Sequence, residues 1–155
     1  MSISDNYPAG VDLVWAARDK YGRLAALVTA GEGPVPKEII GDDGLPDCDL
    51  EAEILRLPVA SKALLHVQVP RPDDFIAMAE RGFFVYDWRD VNRTATEASN
   101  CYELVASPTQ AVSWSFLDVS LSRLGAVQLV EYDFSNAKKL CLKSIRGFVV
   151  LDVEE

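Results

Sequence analysis

Histidine occurs once and cysteine three times in 155 residues, which closes most routes to a metal centre. His66 has no second imidazole to work with, and Cys48, Cys101 and Cys141 are widely spaced with no Cys-x-x-Cys pair. Zinc takes four ligands at short, clustered spacings, so the sequence predicts no bound metal, and no cofactor motif takes its place. An odd, scattered set of cysteines fits reduced thiols and therefore a cytoplasmic location. The sequence also lacks a Gly-x-Ser-x-Gly elbow, a His-Glu-x-x-His pair and a P-loop, so it nominates no catalytic residue and predicts a protein that is not an enzyme. Its first residues, Met-Ser-Ile-Ser-Asp-Asn-Tyr, have neither the basic nor the apolar region of a signal peptide. No apolar run approaches the ~20 residues that cross a bilayer. The sequon Asn92-Arg93-Thr94 is then expected to be a chance match.

Basic residues are scarce as well. The 15 lysines and arginines face 24 acids, for a net charge of −9. That balance repels nucleic acid and anionic membranes and draws in basic partners at long range. Apolar residues make up 49% of the chain, enough for a packed core, and the length suits a single domain over residues 1–155.

The best-defined stretch runs from Val11 to Pro36. Two β-rich segments, Val11–Arg18 and Arg23–Ala30, flank Asp19-Lys20-Tyr21-Gly22. Asp at the first turn position and Gly at the last predict a hairpin with Gly22 at positive φ, a conformation that a Cβ opposes. Alternation places Val11, Leu13 and Trp15 on one face, with Ala26 and Val28 facing them from the second strand. Gly31-Glu32-Gly33-Pro34 then reads as a stop: no Lys-Ser/Thr follows to make it a phosphate loop.

Residues 37–49 form the most acidic loop. Asp43, Asp47 and Asp49 do not follow the every-second-residue order of a calcium loop, so a solvated loop is expected. Leu50, Ile54 and Leu57 recur at helical spacing up to Pro58 and predict a short helix with acids near its positive end. Further on, Ala63–Val69 reads as a strand with His66 partly buried, and Asp74–Arg81 as a helix with Phe75, Met78 and Ala79 inward and Gly82 as its cap. Phe83–Trp88 is an aromatic strand, with Tyr86 and Trp88 on one face and Asp87 with Arg89 on the other. A polar loop over Arg89–Asn100 leads to a strand at Cys101–Ala106. Ser115 to Asp118 has capping-box spacing and opens a third helix up to Gly125. Three strands follow, Ala126–Phe134, Leu140–Ile145 and Phe148–Val153, with Arg146-Gly147 as a turn between the last two. The expected fold is α+β: a mainly antiparallel sheet with an N-terminal hairpin and about three short helices.

Asp12-Leu-Val-Trp15 and Gly31-Glu-Gly-Pro34, taken with Phe84-Val-Tyr-Asp-Trp88, Asp90 and Tyr102-Glu-Leu-Val105, resemble small acidic bacterial immunity-type proteins of toxin–immunity systems. The resemblance spans roughly Asp12 to Pro108 and brings no catalytic residue. It implies a protein that binds and neutralises a basic toxin domain, most naturally a nuclease, whose phosphate-binding site is positive. The matching candidate surface is Asp42, Asp43, Asp47, Asp49, Glu51 and Glu53, six carboxylates in twelve residues with no lysine or arginine among them. The alternative is a small-molecule-binding or enzymatic domain with Tyr86, Trp88 and His66 lining a pocket.

Overall fold

The computed structural model describes residues 13–29, 33–36, 49–67, 72–88, 101–111, 127–129, 131–141 and 148–149. The hairpin forms as the sequence predicts. β1 (Val14–Arg18) and β2 (Leu24–Val28) pair antiparallel, with Arg18 opposite Leu24 and Trp15 opposite Leu27. Gly22 sits at φ 81° and donates its N–H to the Asp19 carbonyl at 3.0 Å. Putting a β-branched side chain there forces left-handed strain, so Gly22→Val is expected to lower stability by about 1–2 kcal/mol. An unchanged urea midpoint for that variant would contradict this account of the turn. The expected facing is one residue out of phase: the register sets Trp15 beside Ala25 and Leu27, while Ala26 and Val28 pack on the opposite face with Ala16.

Further elements follow the hairpin along the chain. They are β3 (Val35–Pro36), α1 (Leu50–Leu55), β4 (Ala63–Leu65), α2 (Asp73–Glu80), β5 (Phe84–Asp87) and β6 (Tyr102–Pro108). Three two-residue strands follow: β7 (Val127–Gln128), β8 (Lys139–Leu140) and β9 (Phe148–Val149). Seven strands make one sheet in the order β4-β6-β5-β2-β1-β7, with β8 also on β6, and β3 pairs with β9 separately. The fold is α+β, but the sheet is mixed rather than mainly antiparallel. β5 runs parallel to β2, and β7 parallel to β1. The first of these is a crossover: α1, β4 and α2 lie between β2 and β5, a connection long enough for parallel pairing. The described residues contain two helices, and the expected third, from Ser115, lies outside them.

Both helices pack on one face of the sheet. Leu50, Ile54 and Leu57 of the α1 region and Met78 and Ala79 of α2 are buried against Ala16, Ala26, Val85 and Ala106. Asp49 caps α1 by accepting from the Ala52 N–H at 3.2 Å. After α2, Gly82 N–H donates to the Ala79 carbonyl and Phe83 N–H to the Met78 carbonyl, a Schellman ending. Arg81 fastens the helices together: its guanidinium donates to the Leu55 and Leu57 carbonyls and to the Ala77 carbonyl of its own helix.

The other face carries the aromatic core, where Trp15, Phe84, Tyr86, Tyr102 and Phe134 are buried with Leu27 and Leu140. Tyr102 has both hydrogen-bonding roles filled: it accepts from Trp15 Nε1 at 3.2 Å and donates to the Pro34 carbonyl at 2.9 Å. Gly33 is required by close approach, because a Cβ there would stand 2.5 Å from the Tyr102 hydroxyl oxygen. Residues 131–138, expected as strand up to Phe134, instead turn beneath this face. Asp133 folds the chain back by accepting from the Ser135 N–H and the Asn136 amide. Buried Asp19 takes the Phe134 N–H at 2.8 Å while also accepting from Tyr21 and Arg23 N–H groups.

Cys101 and Cys141 form a disulfide that joins the start of β6 to the end of β8. This corrects the expectation of reduced thiols, which rested on linear spacing. The pairing of β8 with β6 brings two cysteines 40 residues apart together.

Candidate functional site

The acidic segment is only partly described. Asp42, Asp43 and Asp47 lie outside the described residues. Asp49 is exposed at the head of α1, with Glu51 and Glu53 half-buried in the first turn. Glu53 pairs with Arg56 one turn later, so a cation from just beyond the twelve-residue segment offsets part of the cluster. Among the described residues no group of three or more His, Cys, Asp or Glu is placed to hold a metal ion, and no helix is long and apolar enough to cross a membrane.

The aromatic pocket drawn from the sequence does not assemble from its three residues. Tyr86 is fully buried, and its hydroxyl donates to the Ala137 carbonyl at 2.7 Å. Burial above all, and then the carboxylates of Asp19 and Asp133, hold its phenol far above the usual tyrosine range. Tyr86 therefore keeps its proton and serves the core. Trp88 stacks edge-on against Tyr102 at 5.2 Å in the same packed layer. His66, expected to be partly buried, is exposed just beyond the end of β4, and it alone of the three lines a cleft.

That cleft has a topological origin. β5 occupies one edge of β6, so β4 and β8 must share the other. β4 pairs with Ala106–Pro108 and β8 with Tyr102–Glu103, leaving a gap between them. His66 N–H donates to the Val105 carbonyl on one side of the gap, and Leu104 N–H to the Lys138 carbonyl on the other. At the same point β6 carries a bulge. Val85 stands opposite Ala106 and Tyr86 opposite Leu104, so Val105 is an extra residue. Val105 and Ala106 consequently both pack on the helix face, and the alternation restarts with Ser107 on the other.

The result is an open cleft of about 520 Å³. Phe84, Leu104 and Phe134 give it an apolar floor, and Ser107, His66, Glu103, Lys138 and Lys139 supply polar groups. Ser107 Oγ and His66 Nε2 are 2.7 Å apart. Ser107 is buried, so its hydroxyl is held in place rather than free to rotate in solvent. Of this pair the sequence pointed to His66, grouped with Tyr86 and Trp88; Ser107 carried no local motif, and the bulge that aims it depends on the register of β5 against β6. Comparison with known protein families, curated proteins and solved structures finds no match for this chain.

Proposed function

We propose that this chain is an immunity-type inhibitor, a stoichiometric binder that neutralises a basic bacterial toxin domain by covering its active site, with a nuclease as the natural target. The observation that carries this reading is the charge of −9 together with the run from Asp42 to Glu53. A cationic, phosphate-binding site is steered onto such a surface and matched by it. Asp42, Asp43, Asp47, Asp49, Glu51 and Glu53 form the proposed partner-binding surface, with Asp49 exposed at its described end. The described end of that surface is carried on α1, whose Leu50 and Ile54 pack on the sheet, and such a mount limits the ordering cost of association. The proposed setting is the cytoplasm; the Cys101–Cys141 bond is the feature that weighs against a reducing compartment.

The test is kinetic. Asp42→Asn, Asp43→Asn and Asp47→Asn combined are expected to change stability by less than about 0.5 kcal/mol, as charges kept for a partner rather than for the fold should. The same variant is expected to associate more slowly with the basic partner and to show a flatter salt dependence of the on-rate, because steering is the long-range, screened part of binding. Unchanged association at low salt would remove this segment from the interface. A second reading, small-molecule binding, is favoured by the cleft at the β6 edge.

A further inference from the structure

We propose that the cleft between β4 and β8 binds a small amphipathic carboxylate, with its apolar body on Phe84, Leu104 and Phe134 and its anionic end toward Ser107, His66 and the two lysines. This rests on the small-molecule reading and is independent of the inhibitor reading.

Three observations converge on this ligand class. The volume of about 520 Å³ lies within the range of small-molecule sites, and the apolar floor is bordered by polar groups from both edges of the gap, His66 and Ser107 by β4 and the two lysines by β8. Such a site suits a ligand with one apolar end and one polar end. Among the described residues that line the cleft, two ammonium groups, Lys138 and Lys139, stand against one carboxylate, Glu103, in a strongly acidic protein. Glu103 lies opposite Lys139 in the β6–β8 register, and the neighbouring Lys138 adds a second ammonium to the lining. The bulge at Val105 then turns Ser107 into the cleft beside His66. In the tautomer that carries its proton on Nε2, His66 donates to Ser107 Oγ and leaves the serine hydroxyl to donate to an incoming carboxylate oxygen.

The Ser–His contact also suggests a nucleophile, but among the described residues the rest of the constellation is missing. Among the described residues no carboxylate is hydrogen-bonded to His66, so nothing orients the ring as a general base. The pair acts as a fixed polar anchor.

Titration of the full chain with 2-naphthoate, followed by amide NMR shifts and calorimetry, tests this directly. Saturable shifts centred on His66, Leu104, Ser107 and Lys138 are expected. Its neutral counterpart 2-naphthamide, which lacks the charge, is expected to bind about tenfold more weakly. Lys138→Met/Lys139→Met is expected to weaken naphthoate about fivefold and to leave naphthamide unchanged, as loss of exposed charges should. Ser107→Ala, a small change that keeps the strand intact, is expected to weaken naphthoate by a similar factor. Equal affinity for acid and amide, shifts centred elsewhere, or no saturable shift with millimolar naphthoate would overturn the proposal. So would covalent capture of Ser107 by a fluorophosphonate, which would make it a nucleophile. Failure to find a basic protein partner leaves every one of these outcomes unaffected.

Discussion

Asp19→Ala is expected to cost about 3 kcal/mol or more, because it strips a charged acceptor from several backbone donors at once. The Asp19 side chain is fully buried and accepts from Tyr21 N–H and Arg23 N–H at 2.9 Å and from Phe134 N–H at 2.8 Å. Two of those donors belong to the hairpin and the third to the turn that underlies the aromatic face. Removing the carboxylate leaves the buried Phe134 N–H without its acceptor and separates the turn from the hairpin. Arg23, which also reaches Asp133, loses one of its two acidic neighbours. Asp19→Asn keeps one acceptor oxygen but turns an NH2 toward a backbone donor, so a smaller loss is expected. Urea unfolding reads both: a lower midpoint at constant slope is the expected result. An alanine variant within about 0.5 kcal/mol of the parent would show that Asp19 is only a turn residue.

The second large effect belongs to the Cys101–Cys141 bond. Closing a chain segment of 40 residues restricts the unfolded ensemble by about 4 kcal/mol in the chain-entropy account. Cys101→Ala/Cys141→Ala is therefore expected to unfold at markedly lower urea, and the parent treated with reductant should approach the same midpoint. Reductant should leave the double variant unchanged. Free thiols at both positions in protein alkylated during cell lysis would place the molecule in a reducing compartment. They would also limit this stabilisation to oxidising conditions.

Local chemistry explains what was legible in the sequence. The hairpin was readable because Asp19 and Gly22 define a turn within four residues, and α2 because Gly82 and the spacing of Phe75, Met78 and Ala79 lie within three turns. The α1 stripe of Leu50, Ile54 and Leu57 was equally local. The phase of the hairpin was missed by one residue, and with period-two alternation a single step exchanges the faces. Parallel pairing of β5 with β2 was not legible, since each strand alone reads the same in either direction. Asp19 looked like a turn residue because its third donor, Phe134, is 115 positions away. The candidate cleft was the least legible feature. It depends on two strands sharing one edge of β6 and on a bulge that appears only when β5 and β6 are in register. Of the acidic segment, the sequence supplied the charge but not the Glu53–Arg56 pair that offsets part of it.

The central claim is stoichiometric binding of a basic protein, and the most direct measurement is co-expression with the product of the adjacent gene followed by size-exclusion chromatography with light scattering. The account predicts a 1:1 complex at low salt that weakens as salt rises and that silences the partner's toxic activity in proportion to the amount of chain added. Two separately eluting species at low salt, with the partner's activity intact, would contradict it.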